Sequence, residues 1–213
     1  PDFSIDERTF MHVRSEDYAR SGYDRGHMAP NYLMAKLYGA EAQRASFLMS
    51  NVVPQRHRLN VLVWQRLEEA EADLVAPRMG ELWVVTGPVF AAQPKSLRSG
   101  IAVPEAFYRI WLAPPPSGRE PRALAFLVPQ EVCGTEPLSR YLASVDAIEE
   151  RTGLDFFPEL DAAAQARIEA GVESDGWELQ RWERQPPRYA KEFRKLDCRE
   201  SGAVDAAGIG RTR

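Results

Sequence analysis

Ser21-Gly22-Tyr23-Asp24-Arg25-Gly26-His27-Met28-Ala29-Pro30 places a carboxylate, a guanidinium and an imidazole within four consecutive positions, with a proline shortly after. Cutting a phosphodiester needs a base for water, positive charge on the crowded phosphorus oxygens, and stabilisation of the leaving alkoxide. His27 suits the base, since an imidazole ordinarily titrates at about 6.5. Arg25 offers a planar fork to phosphate oxygens. Gly26 would let the backbone approach a substrate or take a turn that a Cβ forbids, and Pro30 limits the segment's freedom. Taken alone, such a stretch is more often a local salt bridge than an active site. His57 stands in the basic run Arg56-His57-Arg58, where a solvated face is the default, and His12 has no catalytic-looking neighbour.

Working outward, residues 47–51 are apolar and end in a polar turn, which predicts a short buried strand. Residues 59–75 predict a helix: Leu62, Leu67 and Leu74 recur near helical spacing, Glu68, Glu69, Glu71 and Asp73 fill a polar face, and Pro77 is expected to stop it. Asn51 and Asn60 flank these elements. Both are ordinary as a turn former and a helix cap, yet an asparagine amide oxygen is also a hard ligand that suits Mg²⁺. Glu68 lies eight residues after Asn60, an axial rise of about 12 Å and an offset of about 80° on an ideal helix. If Asn60 holds a metal, Glu68 would then hold one of its waters; otherwise Glu68 is one of four acids on a solvated face.

Residues 81–86 predict a central strand closed by Gly87-Pro88, and strands follow near 107–112 and 123–128 around the breaker-rich loop 114–118. A second helix is expected over 138–151, with Tyr141, Val145 and Ile148 on one face, and a short Ala-rich helix over 161–170. Residues 201–213 are small and weakly hydrophobic, an expectation of disorder. The organisation is one catalytic domain, 1–163, and a C-terminal extension, 164–213.

The 213 residues are 44% hydrophobic and 27% charged, enough for a substantial core, and no stretch approaches a membrane span. A net charge of −4 argues against coating nucleic acid by bulk electrostatics, but a local field decides a nuclease. From Pro1 to Arg66 there are nine Lys or Arg against seven acids, a modest basic bias. Cys133 and Cys198 form no metal spacing; two free thiols are the expectation, one bridge to the tail the alternative. The chain opens at Pro1, which a removed signal, a removed anchor or a shortened chain would explain equally.

Ser21 to Pro30 resembles the signature of the DNA/RNA nonspecific endonucleases. This family includes the endonuclease G type and has a ββα-metal (His-Me finger) core. Met49-Ser50-Asn51-Val52-Val53-Pro54-Gln55 is similar to its next block, and Leu59-Asn60 with Trp64, Leu67 and Glu68 to its metal helix. Similarity continues through Trp83 to Phe90, Val103-Pro104 with Phe107, and Ser144-Val145-Asp146 to Phe157. The resemblance implies an α+β fold with a largely antiparallel sheet flanked by helices. It implies His27 as general base, Asn60 as ligand of one Mg²⁺ (or Mn²⁺), Arg25 on the phosphate, Glu68 on metal-bound water, and Asn51 in support. DNA and RNA would be cut to 5′-phosphate and 3′-hydroxyl ends, with contacts mainly to the backbone. It also leaves room for an inhibitor protein and a homodimer. A secreted or periplasmic setting is favoured, with organellar and cytoplasmic ones open.

Two departures bear on activity. The family commonly has glycine where Leu62 stands, and a larger side chain there would shift the helix start or narrow the groove. A basic residue common about twelve positions after the metal asparagine is Ala72 here. They motivate the alternative of a catalytically weakened homologue that binds nucleic acid or a partner. A phosphodiesterase for another polymer or a small ester is a weaker reading.

Overall fold

The computed structural model describes residues 2–114 and 120–188. Its decisive unit is a two-stranded ribbon followed by a long helix. β1 (Asp24–His27) pairs antiparallel with β2 (Val52–Gln55), setting Asp24 opposite Gln55 and His27 opposite Val52. The strand expected over 47–51 therefore begins later: Met49–Asn51 is a single tight turn, and Asn51 is drawn out of the extended state by its own side-chain hydrogen bonds. Gly26 has its place for a reason other than substrate approach. A Cβ there would lie 2.0 Å from Gln55 Oε1, and Gln55 is fully buried. Gly26→Ala is expected to cost about 1–3 kcal/mol through overpacking. An unchanged urea midpoint would show that Gln55 can swing aside.

Between the two strands lies α1 (Asn31–Ser46), which follows Pro30 and is broken at Gly39, whose φ of +84° only glycine takes cheaply. After β2 comes α2 (residues 59–79), a continuous helix of alternating character. Wide i→i+5 turns over Leu59–Trp64 and Glu71–Val75 alternate with α-helical Gln65–Ala70 and Ala76–Met79. Pro77 does not stop it. It falls in the first turn after the second wide stretch, where a missing N–H costs least, and Gly80 at φ +77° ends the helix instead.

The main sheet runs β3 (Trp83–Val89), β4 (Ala106–Ala113), β5 (Arg122–Pro129) and β6 (Leu142–Ala143), all antiparallel. β3 is an edge strand, not a central one, which is why it tolerates Pro88 and leaves Trp83 half-exposed. β4 is the central element and is buried at every position. Phe107 and Trp111 face α2 with Leu59, Val63, Trp64 and Leu67. Tyr108 and Ile110 face the opposite layer with Val145, Ile148 and Phe156. The helix expected over 138–151 splits. Leu138–Tyr141 is one tight turn, β6 joins the sheet edge, and α3 (Val145–Thr152) starts only where Ser144 accepts the Ala147 N–H at 3.1 Å. α4 (Ala162–Glu169) matches expectation, capped by Asp161.

Beyond residue 163 the chain returns to the core. Trp177 and Trp182, the latter in α5 (Leu179–Trp182), pack on Trp111 at ring separations of 6.1 and 5.5 Å. Buried Arg66 donates to the carbonyls of Glu136 at 2.8 Å, Gln185 at 3.0 Å and Glu183, stitching this segment to α2. Cys133 is disulfide-bonded, which overturns the expectation of free thiols. Cys198 and the 201–213 segment lie outside the described residues. Among the described residues no helix is long and apolar enough to cross a membrane.

Candidate active site

The ribbon and α2 converge on one cleft of about 390 Å³, lined by His27, Asn31, Tyr32, Gln43, Asn60 and Glu68 among others. His27 ends β1, its ring edge-on to Phe47 at 4.9 Å and tilted on Phe3 at 5.3 Å. This apolar flank withdraws water from the imidazole and holds its pKa below the ordinary 6.5, so the ring is neutral near pH 7. Its backbone is tied to the helix, because Trp64 Nε1 donates to the His27 carbonyl at 3.3 Å. Asn60, Trp64 and Glu68 follow at four-residue steps, so α2 presents them as one stripe.

Asn60 is oriented by Asp24, whose Oδ2 accepts the Asn60 amide at 3.0 Å and meets His57 Nδ1 at 2.8 Å. That bond occupies the amide nitrogen and leaves the amide oxygen as the free hard donor. Among the described residues, two buried polar atoms on the same cleft have no partner: His27 Nε2 and Glu68 Oε1. Each such orphan costs about 1–3 kcal/mol unless water or an ion meets it. Burial pushes the Glu68 carboxyl up to about 8, against the pull of Arg109. An oxygen ligand, a shielded carboxylate and an unpaired imidazole around one polar cleft fit a hydrated divalent cation better than any apolar ligand.

The other two expected residues sit elsewhere. Arg25 is exposed, donates to Ser15 Oγ at 2.6 Å, and stacks over Phe3 at 4.8 Å. It lines a neighbouring hollow with Tyr18, Tyr23 and Asp24, and Asn60 borders both hollows. Asn51 does not reach the cleft. Its amide accepts the Ala29 N–H and donates to the Ala29 and Ser46 carbonyls, each at 2.9 Å, while its own carbonyl takes the Met28 N–H at 3.0 Å. It clamps the loop after His27 to the end of α1.

Leu62 turns into the core against Gly134, away from the cleft. At Ala72, Lys36 from α1 supplies the nearby cation, donating to the Ala72 carbonyl at 3.0 Å and to Asp73 at 2.9 Å. Sequence reading missed α1's contribution altogether, including Gln43, which donates to Asn31 at 2.8 Å. It also missed the support beneath α2. Fully buried Arg109 pairs with Glu71 at 2.6 Å and lies 5.4 Å from the Trp64 ring, and Trp111 donates to the same carboxylate at 2.8 Å.

The model of the family described as DNA/RNA non-specific endonuclease matches residues 1–163. Relatives include the human mitochondrial nuclease EXOG, 34% identical over 174 residues and covering 75% of this chain but 46% of that protein. A nuclease of the cyanobacterium Nostoc is 33% identical over 78% of this chain and 61% of its own length. Human mitochondrial endonuclease G is 30% identical over 76% and 58% respectively. The chain thus spans about half the length of the EXOG relatives it matches. In three dimensions it is similar to a chain in a crystal structure of the EndoG/EndoGI complex, which concerns the mechanism of EndoG inhibition. The TM-score is 0.65 at 25% identity, over 75% of this chain and 70% of that one. The ribbon-and-helix unit, its cleft and these likenesses agree: the chain belongs to the DNA/RNA non-specific endonuclease family.

Proposed function

We propose that this protein is a Mg²⁺-dependent endonuclease with little sequence preference, hydrolysing DNA and RNA to 5′-phosphate and 3′-hydroxyl ends. The observation that carries the reading is a neutral, unpaired His27 Nε2 on the same cleft as Asn60 and Glu68. In this reading His27 takes the proton of the attacking water at Nε2. Phe3 and Phe47 hold the ring and keep bulk water off it. The Asn60 amide oxygen would hold the metal, Asp24 keeps that amide turned, and Glu68 would orient water on the same cleft. When bound, the divalent ion supplies positive charge to the phosphate and the departing 3′-oxygen. Arg25 meets the next phosphate from the adjoining hollow.

Supercoiled plasmid and a structured RNA, each incubated with Mg²⁺ and with excess EDTA, test this. Cleavage is expected with Mg²⁺, lost with EDTA, and restored by excess Mg²⁺ or Mn²⁺. Cleavage that survives EDTA overturns the metal requirement. Asn60→Ala is expected to lower the rate about 100-fold or more and to raise the Mg²⁺ needed for half-maximal rate; an unchanged Mg²⁺ dependence would remove Asn60 from the metal site. The second reading, a homologue that binds without turnover, rested on Leu62 and Ala72. It loses support from Leu62's place in the core, and stoichiometric binding without metal-dependent nicking is the result that would favour it. A disulfide at Cys133 suits an oxidising compartment and supports a secreted, periplasmic or comparable organellar setting.

A further inference from the structure

On the side of the main sheet opposite α2, α3 and α4 bring Asp146, Glu149 and Glu169 together. One carboxylate oxygen from each lies within 4.8 Å of the other two. Asp146 is exposed, Glu149 is half-buried, and Glu169 is only 5% exposed. Glu169 Oε1 is shielded from solvent and has no hydrogen-bond partner among the described residues. A buried carboxylate aimed at two others is a costly arrangement unless a proton or a cation joins it. Burial and these neighbours push its pKa up to about 7. The arginines nearest in sequence do not relieve it, since Arg151 pairs with Glu105 and Arg167 with Glu120.

The surroundings hold the three groups in place. Glu149 Oε1 accepts the Phe156 N–H at 2.6 Å, and Gln165 from α4 donates to the Phe156 carbonyl at 3.0 Å. The cluster is therefore framed by hydrogen bonds on the loop side and open at Asp146. We propose that Asp146, Glu149 and Glu169 form a calcium site that ties α3 to α4, separate from the catalytic metal. Calcium accepts six to eight oxygens at about 2.3–2.6 Å in irregular geometry, so three carboxylates and water suffice. Magnesium demands a regular octahedron at about 2.0–2.1 Å and keeps most of its water, so it competes poorly here.

The test is thermal melting of the full chain at a fixed excess of Mg²⁺ while Ca²⁺ is titrated. Ca²⁺ is expected to raise the melting temperature of the parent protein saturably. Asp146→Asn, an exposed change that leaves the packing untouched, should lose most of the rise, as should Glu169→Gln. Asn60→Ala should keep it, which separates this site from the catalytic one. The proposal is overturned if Ca²⁺ leaves the parent unchanged, or if Asp146→Asn responds as the parent does.

Discussion

His27→Ala is expected to lower plasmid nicking by about 10²–10⁴-fold, the usual contribution of a positioned general base. Folding and metal binding should survive. The ring's contacts with Phe3 and Phe47 are lost, but so is a buried nitrogen without a partner. Nicking and the melting temperature measured on the same preparation decide it, and full activity would sink the assignment. The pH profile adds an independent reading. Because desolvation depresses the His27 pKa, the acid limb of the rate should lie below the ordinary imidazole value of about 6.5. The linkage has the matching sign. The unfolded chain takes up this proton first as pH falls, so His27's contribution to stability is present above about 6.5 and is lost progressively below it. An acid limb at the same position in the residual activity of His27→Ala would assign it to another group.

The largest stability effect is expected at Glu71, buried beneath α2 and outside the cleft lining. Its carboxylate accepts from Arg109 Nε at 2.6 Å and from Trp111 Nε1 at 2.8 Å, and both Arg109 and Glu71 are buried. Glu71→Ala would strand the Arg109 guanidinium, whose Nη atoms already lack hydrogen-bond partners. Removing one member of such a pair costs about 3–5 kcal/mol, whereas replacing both by apolar groups of similar volume is often neutral. Urea unfolding should therefore show a large loss for Glu71→Ala and recovery of most of it in Glu71→Leu combined with Arg109→Met. A double variant no more stable than the single one would mean that the stranded charge is not the cause.

That pair marks where sequence reading stopped. Asn60, Trp64 and Glu68 fall at helical steps, so the helix was visible from local spacing, whereas the pairing of 24–27 with 52–55 was not: the strand expected over 47–51 begins later. Glu71 belongs to the same acidic run as Glu68, Glu69 and Asp73, and nothing local separates a buried acid from a solvated one; its partner stands 38 residues away. Asn51 was expected to support the site; it lies outside the cleft and bonds backbone groups of the loop after His27, contacts that no residue pattern reveals. α1 went unread because Gly39 interrupts its run and few of its side chains are buried. β3 reads like a central strand because its side chains are apolar, and only the order of the sheet puts it at the edge.

Arg66 carries a consequence for how this protein can change over time. Its guanidinium binds carbonyls of the 136 loop on one side and of residues 183 and 185 on the other, over a stack that includes Trp111, Trp177 and Trp182. A gene rearrangement that ended the reading frame at residue 163 would expose the indole of Trp111 and take from the arginine its acceptors at residues 183 and 185. The downstream segment is thus not a freely exchangeable module. A fusion joined upstream of residue 185 should therefore lower the melting temperature.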